Sequence, residues 1–510
     1  MRLALNLCYG VIATMAVIIS PRGAAFAELP LAQFEGSGDV GAVKKAGSAT
    51  YDPDHGRYTI SAAGTNMWDT QDEFYFAWKR MKGDFQINAR AHFVGESMVA
   101  HRKIGVIVRK TLDADSPYVD VALHGDGLTS MQIRRVAGEE TTQIMAPIVG
   151  ANVVELQRKG NKYTMRVAWD GQPYAAPRDV ELNLGDEVYV GIFVCSHDAD
   201  EAVTAEFENV RITVPAPDDF VPYQDFIGSN LEVMDVGTGV RTIVYRAKDS
   251  IQAPNWTADG KALIFNRNGR LYRFDLATGD LANGKPTEIN TDFATENNND
   301  HVLSFDGKTL AISHRRDAES NSIVYTVPVE GGTPREITPT GPSYAHGWSP
   351  DGKELVFTGG RDGNYDIYAI ASDGSGQERR LTTADGLDDG PEYSPDGSHI
   401  YFNSSRSGLM QIWRMPPGGY EQEQVTDDEF NNWFPHISPD GNRIVIISYG
   451  QDITPDEHPF YKQCYLRLLP YPAGEPKVIA YVYGGQGTIN VPSWSPDSKQ
   501  IAFVSNTADN

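Results

Sequence analysis

Histidine is scarce in this chain, and its positions suggest chemistry. Among 510 residues there are 11 histidines, and four of them directly precede or follow predicted strands of one repeated C-terminal segment: His301, His314, His346 and His436. A fifth, His458, lies in a long insertion of the same segment. Imidazole binds divalent metal ions and transfers protons near neutral pH. Histidines that converge with a carboxylate such as Glu392 therefore predict a metal site or an acid–base pair.

These residues divide into two predicted roles. The candidate catalytic groups are His301, His346, Glu392 and His436. Three of these, His301, His346 and His436, are also the candidate ligands of one divalent metal ion of unidentified element. A histidine at a crowded position between repeats can instead pack there and hydrogen-bond to a neighbouring carbonyl, so both interpretations stay open.

Hydrogen-bonding and aromatic side chains occur near the same positions. The candidate ligand-binding residues are Asn299, Asp300, His314, Arg315, Tyr344, Trp433, His458 and, in the N-terminal half, Trp68. Polar groups interleaved with aromatic rings suit a sugar better than a lipid or a nucleotide. Two further tryptophans, Trp78 and Trp169, lie in predicted strands and are interpreted as core residues.

A short motif occurs six times in the C-terminal half: Ser or Thr, then Pro or Ala in most copies, then Asp and usually Gly. Its aspartates are Asp259, Asp306, Asp351, Asp396, Asp440 and Asp497, which are 47, 45, 45, 44 and 57 residues apart. Proline, aspartate and glycine in this order form a tight turn. Four alternating strands accompany each complete copy, which is typical of a β-propeller blade.

The last copy is incomplete, because only the strand 501–504 follows it. Two strand-like segments before the first copy, 231–235 and 241–245, can supply what is missing. We therefore predict a six-bladed ring closed by strands from both ends, which leaves no open edge. The candidate histidines should then meet at one mouth of its central channel, on the rim opposite the repeated turns.

The remaining chain divides into three further parts. Residues 28–215 contain alternating strands separated by Gly, Asp and Asn, which indicates an antiparallel β-sandwich. Residues 216–228, with their prolines, form a linker before the propeller of residues 229–510. Residues 1–27 have an early arginine, a short apolar run and a small-x-small end, as in a secretory signal peptide cleaved after Ala27.

Charge and export narrow the possible partners. Cleavage after residue 27 takes away two arginines and no acid, which changes the formal net charge from −24 to −26. Such a surface repels nucleic acid and anionic lipid. No other stretch is long and apolar enough to span a bilayer. We expect a periplasmic or secreted protein that neither binds nucleic acid nor inserts into a membrane.

The repeat and the blade count resemble the C-terminal propeller of the TolB family of the Tol-Pal system, over roughly residues 229–510. The segments 456–461 and 484–492 resemble a secreted TolB-related subgroup. The resemblance implies the fold, whereas function varies among such propellers, which also occur in peptidases and lyases. TolB-like propellers that cleave oligogalacturonate hold a metal with histidines at this face. In the N-terminal half, 83–85, 105–109 and 206–210 resemble concanavalin-like jelly rolls attached to bacterial extracellular enzymes.

The sequence leaves two functions open. In the first, the protein binds a glycan or oligosaccharide at the propeller mouth and, if it is an enzyme, acts as a metal-assisted polysaccharide lyase or glycoside hydrolase. In the second, it is a non-catalytic periplasmic scaffold like TolB that receives a segment of a protein partner. The sandwich fusion and the histidines favour the first function, and the likeness of the repeat favours the second.

Overall fold

The structure is a computed structural model that describes residues 31–276, 284–316 and 321–508. The 37 named elements in these ranges are all β-strands, so the predicted all-β class is confirmed. The predicted signal peptide lies outside the described residues. None of the described residues forms a helix long and apolar enough to cross a membrane.

Fourteen strands make up the N-terminal part. They are β1 (Gly36–Val40), β2 (Ser48–Asp52), β3 (Arg57–Gly64), β4 (Phe74–Lys82), β5 (Phe85–Val94), β6 (Lys103–Arg109), β7 (Tyr118–His124), β8 (Thr129–Arg134), β9 (Thr142–Met145), β10 (Val153–Lys159), β11 (Lys162–Ala168), β12 (Arg178–Glu181), β13 (Glu187–Cys195) and β14 (Asp198–Thr213).

These strands form two seven-stranded antiparallel sheets. Their orders are β1-β4-β13-β6-β7-β8-β9 and β12-β11-β10-β5-β14-β3-β2. Side chains of both sheets meet in one buried cluster, which includes Val106 and Val190 from the first sheet and Ile87 and Leu156 from the second. The two sheets therefore pack as a sandwich.

The β10–β11 hairpin shows how the sequence specifies this packing. Gly160 opens its turn at φ 58°, a conformation that glycine adopts without strain. Tyr163, Met165 and Val167 then alternate into the core, as period-two patterning requires. Trp169 follows the end of β11 and is 48% exposed, so the prediction that it belongs to the core is wrong.

Twenty-three strands make up the C-terminal part. They are β15 (Gly228–Asp235), β16 (Arg241–Ala247), β17 (Ile251–Trp256), β18 (Ala262–Arg267), β19 (Arg270–Asp275), β20 (Thr287–Ile289), β21 (Asn297–Leu303), β22 (Thr309–Arg315), β23 (Ser322–Pro328), β24 (Arg335–Glu336), β25 (Ser343–Trp348), β26 (Glu354–Arg361), β27 (Asn364–Ala371), β28 (Arg379–Arg380), β29 (Asp388–Tyr393), β30 (Ile400–Ser404), β31 (Gln411–Met415), β32 (Glu423–Gln424), β33 (Asn431–Ile437), β34 (Arg443–Tyr449), β35 (Lys462–Pro470), β36 (Lys477–Gly484) and β37 (Gln500–Thr507).

These strands form a six-bladed propeller. Five blades are consecutive four-stranded sheets from β17 to β36, and the sixth has the order β16-β15-β37. Within the sixth blade Leu231 pairs with Val504, and Trp494 bridges to Ile501 in place of an innermost strand. The predicted closure by strands from both ends is confirmed.

The repeated turns are held by their own side chains. In all six repeats a Ser or Thr hydroxyl donates to the aspartate carboxylate, over 2.6–2.8 Å. In the fourth blade Asp396 also accepts the backbone N–H of Ser398 at 3.0 Å, and Ser394 accepts that of His399 at 3.0 Å. The motif is therefore a local hydrogen-bonded unit, which explains why it recurs.

A second irregularity recurs at the other end of each innermost strand. All five four-stranded blades shift register there, at Gln252/Asn255, Asn297/His301, Ala345/Gly347, Asp389/Glu392 and Trp433/His436. A bulge leaves residues unpaired in the ladder and changes where their side chains lie. Asp300, His346 and Phe434 lie inside these bulges, next to the channel.

The connection between β14 and β15 packs against the propeller. The N–H of Val214 donates to the hydroxyl of Thr507 at 2.9 Å, and the N–H of Ile227 donates to the hydroxyl of Tyr461 at 3.2 Å. This connection between the two parts is thus bonded to the propeller at both of its ends.

A buried carboxylate links the two parts of the chain. Glu232 of β15 lies 2.9 Å from Arg211 of β14 and 2.8 Å from Arg241 of β16. Burial alone would raise the pKa of Glu232, but the two guanidinium groups lower it to about 2. The sandwich and the sixth blade therefore share one charged contact.

Candidate ligand-binding site

A cavity of about 650 Å³ lies at one mouth of the propeller channel. Its walls come from the bulges of the innermost strands, from residues after the second strands, and from the insertion that carries His458. Six of the predicted binding residues and one predicted catalytic residue line it: Asn299, Asp300, Arg315, Tyr344, Trp433, His458 and His346. This volume falls in the range of small-molecule sites.

Two carboxylates flank one imidazole in this cavity. The Nε2 atom of His346 lies 3.4 Å from Oδ1 of Asp389 and 3.8 Å from Oδ1 of Asp300. The hydroxyl of Thr358 and the N–H of Gly390 donate to the same oxygen of Asp389, at 2.7 and 2.8 Å. Three different blades therefore contribute one charged cluster, and its Asp389 member is fixed by two neighbours.

The three groups have different environments, and their pKa values therefore shift in different directions. Burial raises the pKa of Asp300 to about 6. Burial also opposes charge on His346, but the two carboxylates raise its pKa above the ordinary value. Burial would raise the pKa of Asp389, yet its contact with His346 lowers it. The cluster thus combines an ionised carboxylate, a protonatable imidazole and a carboxyl group that titrates at mildly acidic pH.

Aromatic rings form the floor beside the cluster. The ring of His346 stacks on Phe434, with centroids 5.7 Å apart. His458 stacks on Trp433 at 5.2 Å and meets the edge of Phe434 at 4.7 Å. Burial lowers the pKa of His458 to about 3, so this imidazole is neutral and behaves as one more flat ring.

The segment before the first blade supplies part of the rim. Tyr223 and Phe226 line the cavity, and both rings pack edge-on against Phe460, at 5.1 and 5.9 Å. Tyr223 remains 71% exposed. An exposed ring fixed at a cavity rim offers a flat apolar surface to a bound molecule.

Amide groups complete the wall. Asn266 donates from its side chain to the carbonyls of Asn297 and Asn298, at 2.9 and 2.8 Å. Asn298 in turn donates to Asp300 at 2.6 Å. The Nδ2 atom of Asn299 is buried and has no partner among the described residues. A ligand that accepts a hydrogen bond would satisfy this donor.

Five predicted site residues lie outside the cavity lining, and four of them, His301, His314, Glu392 and His436, belong to the propeller. Both nitrogens of His436 are engaged, one with Glu392 Oε2 at 2.6 Å and one with the carbonyl of Ile489 at 2.6 Å. His314 accepts the N–H of Glu296 at 3.3 Å. His301 is fully buried, and burial lowers its pKa to about 4, although backbone groups of neighbouring strands lie close to its ring.

Trp68 lies on the sandwich and not at the propeller mouth. It is half-buried on the sandwich, where it lines a separate pocket of about 220 Å³ together with His101, His124 and His197. The predicted sugar-stacking tryptophan therefore does not share the propeller cavity.

The geometry does not bring His301, His346 and His436 together as ligands of one metal ion. His346 faces two carboxylates, the nitrogens of His436 are already bonded, and His301 is fully buried outside the cavity lining. In the part of the chain that the structure describes, the one group of three metal-binding side chains within range is His101, His124 and Asp126, on the sandwich.

Sequence reasoning missed several cavity residues. Asp389 stands seven residues before the aspartate of its repeat, just before the bulge glycine Gly390. That glycine in a strand is the signal that could have found the bulge. Tyr223 and Phe226 lie in a predicted linker, where no periodicity marks them as part of a site.

Comparison with known proteins agrees with this fold. The family model PD40, the TolB β-propeller domain, matches residues 339–455. An uncharacterized protein of Agrobacterium fabrum is 45% identical over 276 residues, which are 54% of this chain and 92% of that protein. The solved structure named "putative TolB" from Agrobacterium tumefaciens is 42% identical with a TM-score of 0.53, and the match covers 56% of this chain and 100% of that one. With nearly the full length of both relatives matched and the six-bladed ring in place, the chain belongs to the TolB-like β-propeller family.

Proposed function

We propose that the propeller mouth binds an oligosaccharide, in the periplasm or outside the cell. The observation that carries the proposal is the convergence of Asp300, His346 and Asp389 beside the rings of Tyr223 and Phe434 in one cavity. Carboxylates and imidazole bind sugar hydroxyls, and flat rings pack on the apolar faces of sugars. Neither feature alone favours a sugar over other polar ligands, and their combination in a cavity of this size is what supports the proposal.

Binding in this proposal rests on hydrogen bonds and stacking, without a metal ion in the mouth. Asp389 is fixed by Thr358 and Gly390 and accepts from a hydroxyl. Asn299 donates through its unpartnered amide. A sugar that displaces water from these groups gains affinity only if it replaces their hydrogen bonds.

Cleavage is a separate part of the proposal. A carboxyl group whose pKa is about 6 is still partly protonated near neutral pH and can serve as a general acid there. Asp300 has this property. Asp389, kept ionised by His346, is then the candidate base or charge stabiliser. A hydrolase or lyase acting here would lose its activity in both Asp300→Asn and Asp389→Asn.

The direct test is calorimetric titration of the mature protein with neutral, acidic and amino oligosaccharides. We expect at least one class of oligosaccharide to bind. The Asp389→Asn substitution should weaken its affinity by about tenfold or more, because a hydrogen bond to a charged group is lost. Glu423→Gln, an exposed carboxylate change on β32, is the matched control. Absence of binding by every class would contradict the proposal.

A protein segment is the second candidate ligand. The observation in its favour is that the mouth already receives peptide from its own chain, since Tyr223 and Phe226 pack on Phe460 at the rim. A partner segment with aromatic residues could continue the same packing, as in a TolB-like scaffold. Binding of a synthetic peptide library, with no response to any oligosaccharide, would select this function.

We also propose a fold family for the sandwich and bounds for the domains. Its two seven-stranded sheets are compatible with a concanavalin-like jelly roll, and such a domain fits an exported glycan-binding protein. The bounds 28–215, 216–228 and 229–510 are likewise proposed for the domains. Limited proteolysis that releases two stable fragments near these bounds would support them, whereas cleavage within a sheet would not.

A further inference from the structure

A histidine-rich pocket on the sandwich has no role in the function proposed above. The pocket of about 220 Å³ is lined by Trp68, His101, Lys103, His124 and His197, among others. The rings of His124 and His197 each meet the ring of His101, at 5.9 and 5.7 Å. Three imidazoles at one point of a chain with 11 histidines call for an explanation.

We propose that His101, His124 and Asp126 bind a divalent transition-metal ion at the edge of this pocket. One donor atom of each residue lies within 4.8 Å of the other two. A metal ion at ordinary bond lengths of about 2.0–2.2 Å requires somewhat shorter separations. His101 is exposed, so a small rotation of its side chain can bring the three ligand atoms closer together.

The backbone prepares the carboxylate for this role. Oδ1 of Asp126 accepts the N–H of Leu128 at 3.0 Å, and the N–H of Asp126 donates to the carbonyl of Ala100 at 2.9 Å. Its other oxygen, Oδ2, lies 3.8 Å from Nδ1 of His101. The turn after β7 and the loop before β6 thus hold Asp126 and His101 side by side.

One ring nitrogen of His124 has no hydrogen-bond partner in the described part of the chain and is therefore available as a metal ligand. It is only 8% exposed, and its Nδ1 atom has no partner among the described residues. Its Nε2 atom faces Nε2 of Gln132 at 3.3 Å, while Oε1 of Gln132 is also buried without a partner.

Inverting the Gln132 amide gives its Oε1 atom a partner. Oε1 then accepts from Nε2–H of His124, and the lone pair of Nδ1 is left for a metal ion. Amide orientation is an assignment made from the hydrogen-bond network, and an acceptor behind a metal-binding imidazole is the usual arrangement.

The donor set indicates the class of metal. Two imidazoles and one carboxylate suit zinc, cobalt, nickel or copper, whereas magnesium and calcium prefer oxygen ligands. Three protein ligands leave a position for water or for a ligand held in the pocket beside Trp68. The Lys103 ammonium, bonded to Asn66 at 2.8 Å, opposes a cation and limits the affinity.

Titration of the untagged mature protein with zinc alone, after removal of metal by a chelator, tests the proposal. We expect one ion per chain, and a cobalt complex with absorption typical of nitrogen and oxygen ligands. His101→Ala and Asp126→Asn should each weaken binding by at least about tenfold, and Gln132→Leu by about 10- to 100-fold. Lys103→Met should tighten it.

Two controls keep the outcome specific. His55→Ala removes another exposed histidine, which lies 2.7 Å from the carboxylate of Asp52. Within the described ranges this pair has no third metal-binding side chain close enough, so the variant should bind zinc as wild type does. His346→Gln removes the imidazole of the propeller mouth and should leave zinc binding at the sandwich unchanged. Equal melting temperatures in chelator establish that the variants are folded. Absence of saturable one-to-one binding, or unchanged binding in both His101→Ala and Asp126→Asn, overturns the proposal.

Discussion

Glu392 and His436 meet across the boundary between two blades, with Oε2 of one 2.6 Å from Nδ1 of the other. Each stands four residues before the aspartate of its own repeat, so the symmetry of the ring brings equivalent positions into contact. Glu392 also accepts the N–H of Ile437 at 3.0 Å. The pair therefore joins two blades without lining the cavity, and its expected role is structural.

Replacing Glu392 by alanine tests this role. The variant leaves buried hydrogen-bonding groups of His436 and Ile437 without an acceptor, so we expect a loss of about 2–4 kcal/mol of stability. Calorimetric melting measures it, with Glu423→Ala, which removes an exposed carboxylate, as a control expected to stay within about 0.5 kcal/mol. An unchanged melting temperature together with lost ligand binding would instead place Glu392 in the site.

His301 should make the protein sensitive to acid. Its pKa is about 4 in the folded protein and ordinarily 6.5, so its contribution is complete above about pH 6.5 and is lost as pH falls through 4. The loss amounts to about 3 kcal/mol. His301→Leu should therefore show a smaller fall in melting temperature between about pH 7 and 4 than wild type or His399→Leu. Parallel curves for all three proteins would contradict this.

Asp300 should act in the opposite sense. Its pKa is raised from 3.8 to about 6 by burial, so the folded state favours the protonated form. Its contribution is present at low pH and is lost as pH rises through about 6. Asp300→Asn, which stays neutral, should gain melting temperature relative to wild type as pH rises from about 4 to 7, whereas exposed Asp427→Asn should not.

Tyr223→Ala should weaken ligand binding at the mouth without destabilising the protein. The ring is 71% exposed, so its removal should change stability by no more than about 0.5 kcal/mol. The lost stacking is worth about 0.5–1.5 kcal/mol, or roughly two- to tenfold in affinity. Tyr420→Ala, which removes a ring 60% exposed elsewhere on the propeller, is the matched control. Equal affinities in the two variants would remove Tyr223 from the site.

Asp72 anchors the sandwich through two buried arginines. It lies 2.7 Å from both Arg109 and Arg134, and all three side chains are fully buried. Asp72→Asn leaves two guanidinium groups without a counter-charge, so we expect a loss of about 3–5 kcal/mol. Glu35→Gln, at an exposed pair with Arg80, should cost less than about 1 kcal/mol. Similar urea midpoints for the two variants would show that the network is weaker than its geometry suggests.

The fold was predictable because its determinants are local. Each Ser-Pro-Asp-Gly turn is completed by its own hydroxyl, carboxylate and backbone groups, as in Ser394 and Asp396. Ring closure followed from one missing strand pair and the physical cost of open edges.

The site was less predictable because bulges differ between blades. His301 and His346 both stand five residues before their aspartates, yet only His346 lines the cavity. Between paired residues, the bulge of β21 advances from Asn297 to His301, whereas that of β25 advances only from Ala345 to Gly347. Sequence spacing alone does not reveal the length of a bulge, and it therefore placed His301 incorrectly relative to the cavity wall.

The pairing of β15 with β37 also limits the order in which the two parts of the protein can fold during synthesis. The last residue of β15, Asp235, is synthesised 265 residues before its partner Gln500 near the other end of the propeller. The sandwich can complete both of its sheets during that interval, but the ring cannot close. Until Gln500–Thr507 have been synthesised, β15 therefore keeps an edge without its partner strand, which is where an unfinished propeller is most exposed to wrong pairing.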